Sequence, residues 1–263
     1  MIENALAMAL SALVSSVAGG FFPLPSVSPD LSTMEVVERV NTILLSAPEM
    51  NNWQARVLST MLEMDKNWQP KKKIVIEKLT SVENKRKTEK ILSAKEYEGD
   101  KTRNLTAKYQ AEAAKFEETR GPSEEKEGER TGGRHRGLNL SRDEMFPFSE
   151  EKRKDFDFEL NDGTLIDGRK VYVLETRSKQ KSSEFYEGTY FIHPDTFDVL
   201  RARIRPAELP GPLKLLEIDI GFERLPGGHL AVRTAKARVH VGLVIKNIRM
   251  ETEEVYSEYV VLD

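Results

Sequence analysis

Residues 216–223 alternate without interruption, with Leu216, Ile218, Ile220 and Phe222 on one parity and Glu217, Asp219, Gly221 and Glu223 on the other. Side chains along a strand point to opposite faces with a period of two, so this segment reads as a strand with one apolar and one charged face. Its register is fixed, because a slip of one residue would bury three carboxylates. Neighbouring segments repeat the pattern. Phe156, Phe158 and Leu160 alternate with Asp155, Asp157 and Glu159, and Asn161-Asp162-Gly163 and Asp167-Gly168 are tight-turn sequences. Residues 169–176 run apolar through their middle. Residues 185–193, which carry Tyr190 and Ile192, lead through Pro194-Asp195-Thr196 into residues 197–204 as a further hairpin. Residues 230–250 are long enough for two strands or one bent strand, with Val239, Val241, Leu243 and Ile245 on one parity, and residues 255–262 close the chain.

The first half opens differently. Ser32-Thr33-Met34-Glu35 is a capping-box sequence, and Met34, Val37, Val40, Ile43 and Leu44 recur at helical spacing, which predicts an amphipathic helix over residues 33–46. Residues 53–64, 71–81 and 86–98 then have strand character, the last two joined by a polar corner. Their many charges, Lys78 and Glu89 among them, predict one wet face. Leu105, Tyr109, Ala113 and Phe116 return to helical spacing, as a covering helix would. Residues 117–136 are a polyampholyte containing Gly and Pro, too polar to offset the entropy of ordering; a charged loop over 117–137 inside one domain is the expectation.

About ten antiparallel strands are expected, with a helix before them and one or two inserted. A single sheet of that size curls, because twist accumulates from strand to strand. The predicted fold class is therefore mainly β with a few helices: one large curved antiparallel sheet forming a half-open barrel, its helices covering or plugging the concave face.

Residues 5–18 form an apolar and small-residue run of signal-peptide length, with Ser16, Val17 and Ala18 placed where a signal peptidase prefers small residues. The four residues before it include an acid and no Lys or Arg. Export is the preferred reading, with an uncleaved membrane anchor and a helix packed on the domain as alternatives. Residues 1–30 are thus leader or anchor plus a Pro/Ser tether, and 31–263 a single domain. Forty basic against forty-three acidic residues give a net charge of -3, which argues against nucleic acid as a partner. The absence of cysteine excludes disulfides, thiolate metal sites and a lipidated cysteine.

No metalloprotease, hydrolase-elbow, phosphate-loop or EF-hand motif is present. His135, His193, His229 and His240 lack partners at metal-ligand spacing. Asp155/Asp157 and Glu217/Asp219 share strand faces but read as solvated outer surface. Lys71-Lys72-Lys73, Lys85-Arg86-Lys87 and Lys152-Arg153-Lys154 read as solvated strand ends. No catalytic residue, metal or cofactor is expected.

The element order resembles the LolA-like family of outer-membrane lipoprotein-sorting proteins. Short echoes lie in residues 169–174, in Tyr186-Glu187-Gly188-Thr189-Tyr190-Phe191-Ile192 with residues 195–200, and in Tyr256-Ser257-Glu258-Tyr259-Val260. The resemblance implies a non-enzymatic periplasmic protein that holds lipid or lipoprotein acyl chains in an apolar half-barrel, for lipoprotein transport and chaperoning or for envelope sensing. The implied ligand face comprises Phe156, Phe158, Leu160, Tyr190, Ile192, Leu216, Ile218, Ile220 and Phe222. These same residues would equally serve as the core beneath the helices. The alternative function is a protein-interaction module of the envelope with a filled core, binding its partner through the charged loop or the outer face. Peripheral contact with membrane components fits either reading.

Overall fold

A computed structural model of the chain describes residues 31–84, 86–119, 145–166, 168–242 and 247–262. The leader and tether expected over residues 1–30, and residues 120–137 of the expected charged loop, lie outside them. The helix α1 spans Thr33–Ser46, and its start is the capping box read from the sequence: Ser32 Oγ accepts from the Glu35 amide, and the Glu35 carboxylate accepts from the Ser32 amide at 2.7 Å. The second helix, α2, spans Thr106–Thr119, three residues further than the expected start of the charged loop. Neither described helix is long and apolar enough to cross a membrane.

Among the described residues, eleven strands form one antiparallel sheet: β1 Trp53–Met64, β2 Pro70–Glu83, β3 Arg86–Glu98, β4 Lys101–Asn104, β5 Phe156–Ile166, β6 Arg169–Ser178, β7 Tyr186–Ile192, β8 Val199–Pro206, β9 Leu213–Arg224, β10 Leu230–Gly242 and β11 Asn247–Val261. Their spatial order is β4-β3-β2-β1-β11-β10-β9-β8-β7-β6-β5, so the chain's last strand joins its two halves. The order does not close on itself, which gives the half-open barrel. Strand β4, four exposed polar residues, has no apolar parity to announce it and makes the count eleven rather than about ten. Residues 255–262 are the continuation of β11 rather than a separate strand; a register shift against β1 between Gln54 and Arg56 marks the irregularity.

One row of direct partners crosses the sheet: Ala94, Ile76, Ser59, Glu254, Ala235, Ile220, Ala202, Tyr190, Leu174 and Leu160. The adjacent row on the opposite face runs Thr60, Glu253, Lys236, Asp219, Arg203, Thr189. Acids there stand opposite bases, with Lys236 2.8 Å from Glu253 and Arg203 3.1 Å from Asp219. Burial on one face and charge alternation on the other thus specify the same register.

The helices lie on the apolar face. Tyr109 of α2 packs with Ile76, Ile91 and Ala94. In α1, Val36, Val37, Val40 and Leu44 are buried, and Arg39 lies over the Phe197 ring, which stacks on Tyr172. At Gly188 the backbones of β7 and β8 approach so closely that a Cβ would fall on the carbonyl oxygen of Arg203. Gly188→Ala is expected to force β7 and β8 apart and cost about 1–3 kcal/mol, as overpacking does. A thermal melt of the full chain checks this, and an unchanged midpoint would contradict it.

Candidate functional site

The register brings all nine residues expected at the ligand face onto the apolar side of β5, β7 and β9. Six of them, Phe156, Tyr190, Ile192, Ile218, Ile220 and Phe222, are buried. Phe158, Leu160 and Leu216 are half-buried. Leu216 stands directly opposite Val239, and Val239 opposite Met250, so three half-buried apolar side chains adjoin across β9, β10 and β11.

A short strap with no periodic signal in the sequence covers Tyr190, Phe222 and Phe158. Phe146 and Phe148 lie on the same face, 5% and 0% exposed. Phe148 meets Tyr190 edge-on with ring centroids 4.9 Å apart and lies 6.2 Å from Phe158, while Phe146 lies 5.5 Å from Phe222. The Tyr190 hydroxyl donates to the Met145 carbonyl oxygen at 2.6 Å, tying the strap to β7. Burial pushes the Tyr190 phenol well above its ordinary pKa, so it remains a donor at every physiological pH. The signal in the sequence was two aromatics at i and i+2 directly after a long polar tract.

The expectation that the charges of the early strands share a wet face is corrected at Lys78 and Glu89. Lys78 lies between Val57 and Ile91 in the register, on the apolar face, and its side chain is 7% exposed. Its ammonium donates to Glu89 at 2.9 Å and to Glu254 at 3.0 Å, and the Tyr256 hydroxyl donates to the other Glu254 oxygen at 2.8 Å. Lys87 contacts Glu89 at 2.9 Å. Burial works to lower the Lys78 pKa, but the charges of Glu254 and Glu89 outweigh it and hold it above the ordinary ammonium value. For Glu89, burial raises the pKa, and Lys78 with Lys87 more than offsets this, holding it below the ordinary carboxylate value. The parity of Ile74, Ile76, Lys78 and Thr80 carried this placement.

On the charged face a groove of about 590 Å³ crosses from β7 to β1. Its walls include Arg205 paired with Glu187 at 3.0 Å, and Arg238 paired with Glu251 at 2.9 Å. Arg238 also lies over the Trp68 ring, 4.4 Å from its centroid. Glu217 and Asp219 therefore sit in this groove as ion-pair partners, with Arg238 and Arg203 respectively. Asp157 pairs with Lys179, and Asp155 accepts from Gln180.

The described histidines serve turns and strand ends. His193 accepts from the Asp195 and Thr196 amides, His229 contacts the Pro48 carbonyl, and His240 contacts Asn247. His135 lies outside the described residues. Among the described residues no group of three or more His, Asp or Glu is placed to hold a metal ion. In the basic clusters, Lys72 contacts Glu96 and Arg153 contacts Glu38.

No protein-family model matches the chain, and no curated protein matches it. Similar solved structures exist. A LolA superfamily protein from Nitrosomonas europaea shares 14% identity over 89% of this chain and 95% of its own, with a TM-score of 0.40. An outer membrane lipoprotein-sorting protein domain from Vibrio parahaemolyticus shares 10% over 87% and 93%, with a TM-score of 0.39. The MucA/MucB complex of Pseudomonas aeruginosa contains a chain sharing 9% over 86% and 94%, with a TM-score of 0.25.

Proposed function

We propose that this chain is a non-enzymatic binding protein of the bacterial cell envelope that holds an acyl chain against the apolar face of its half-barrel. The supporting observation is the covering of that face. Eleven strands present an apolar surface, yet at its β5–β9 side the cover includes a strap of two phenylalanines, and Leu216, Val239 and Met250 remain half-buried beside one another. An acyl chain that displaces the strap or lies along those three residues gains about 0.8 kcal/mol for each methylene it buries. Lipoprotein sorting, lipid carriage and envelope sensing are roles such a holder performs, and a periplasmic location would place it among its ligands.

The alternative, recruitment of a protein partner, is favoured by the groove on the charged face. Its acids and bases already neutralise one another, so a partner would have to break those pairs before making its own. For that reason the acyl reading is preferred. Native mass spectrometry of the full chain recovered from a bacterial periplasm tests it. One acyl species bound per chain is the expected result, and failure to retain lipid or to bind any fluorescent fatty acid at micromolar concentration would contradict it.

A further inference from the structure

The groove on the charged face lies on the side of the sheet that the acyl-binding reading leaves unused. Its volume of about 590 Å³ is that of a small-molecule site. It crosses from β7 over β8, β9, β10 and β11 to β1, five strand spacings or about 24 Å. Two rows of side chains line it. The first is the row from Thr189 to Thr60, with a hydroxyl at each end and Arg203, Asp219, Lys236 and Glu253 between them. The second lies two residues along each strand; it carries Glu187, Arg205, Glu217, Arg238 and Glu251 and ends on Leu62.

These charges restrict what can enter. Bases on β8 and β10 alternate with acids on β9 and β11. An anion bound to any base would therefore meet carboxylates one strand spacing away, and a cation bound to any acid would meet bases. An uncharged ligand has neither penalty and leaves the ion pairs whole. The pairs also leave hydrogen-bonding capacity unspent. Among the described residues, Glu217, Glu251 and Glu253 each engage a basic partner through one carboxylate oxygen. Arg203 donates through Nε alone, and Arg205 through one terminal nitrogen. Donors and acceptors thus alternate strand by strand along the groove. Two of the arginines are also held by rings, Arg238 at 4.4 Å from the Trp68 centroid and Arg203 at 5.4 Å from that of Phe191. Side chains fixed in advance cost less to order around a ligand.

We infer that this groove binds a short, linear, uncharged oligosaccharide. Sugar hydroxyls both donate and accept, which suits alternating guanidinium and carboxylate groups, and the rings of a linear glycan repeat at close to the spacing of adjacent strands, about 4.8 Å. Isothermal titration of the full chain with maltopentaose, cellopentaose and chitopentaose tests it. At least one should bind with a dissociation constant below about 1 mM. Lys236→Ala combined with Glu253→Ala deletes an exposed ion pair without leaving a lone charge, so the melting midpoint should hardly change while binding weakens at least tenfold. Thr60→Tyr, which adds bulk at the β1 end of the groove and removes no charge, should weaken binding as well. Failure of all three glycans to bind at millimolar concentration, or affinities unchanged in both variants, would overturn the proposal. Preference for an alternating Glu-Lys decapeptide over the glycans would overturn it too, and would give the groove to a protein partner.

Discussion

Lys78→Met is expected to destabilise the fold by about 3–5 kcal/mol, the cost of removing one partner from a buried ion pair and leaving the other charges uncompensated. The side chains of Lys78 and Glu254 are 7% and 11% exposed, so water cannot take over the missing charge. Methionine fills the space between Val57 and Ile91, which confines the loss to electrostatics. Adding Glu89→Gln and Glu254→Gln should therefore restore at least half of the stability, as replacement of a whole buried network by neutral groups does. The pH dependence separates this from a packing defect. In the wild type the Glu89 pKa is depressed in the folded state by Lys78 and Lys87 against the effect of burial. A depressed carboxyl contributes stability above its unfolded value, about 4.3, and loses it as the pH falls through the lower folded value. Lys78, raised in the folded state, contributes stability below about pH 10.4 that is lost as the pH climbs through its folded value. The wild type is thus expected to weaken on acidification below about pH 4.5. Without Lys78 only Lys87 opposes the upward push of burial on Glu89, and the variant should lose less stability than the wild type on acidification from pH 7 to pH 4. Denaturant titrations at those pH values check the sign, and a pH-independent loss would contradict the electrostatic account.

Phe148→Ala is the second large effect. The ring is fully buried among Phe146, Phe158 and Tyr190, and its deletion should cost about 3–5 kcal/mol through lost transfer energy and the cavity left behind. That cavity is apolar and opens toward Phe158 on the edge strand β5. A ligand that occupies the strap's position should find more room in the variant, and a ligand that binds only the native state stabilises it by mass action. Laurate or monolauroylglycerol should therefore raise the melting midpoint of Phe148→Ala by more than that of the wild type. Equal shifts in the two proteins would mean that the acyl chain does not use the strap's place.

The sequence was legible where one local pattern decided the outcome. Ser32 and Glu35 mark the start of α1 because the capping box is a local hydrogen-bonded unit. Strand β9 is unmistakable because its alternation allows a single register, and the same parity places all nine apolar candidates on one face. What escaped depends on distant partners. Glu89 and Glu254, 165 residues apart in the chain, meet through Lys78 because β11 pairs with β1, a non-local event that charge counting along β2 and β3 cannot anticipate. The Phe146 and Phe148 strap belongs to no strand or long helix, so no period draws attention to it. The strand β4 is stabilised by β3 alone and has no apolar face.

The proposed acyl chain lies on the apolar face, in the strap's place or beside it along Leu216, Val239 and Met250. Photo-crosslinking the full chain with a long-chain fatty acid bearing a diazirine at its end, followed by peptide mapping, tests it directly. The account predicts labels on Phe146, Phe148, Phe158, Leu160 or Leu216, and their loss when unlabelled fatty acid is added. Labels confined to the charged face, at Leu58, Leu62 or Val255, or no competable label at all, would contradict it.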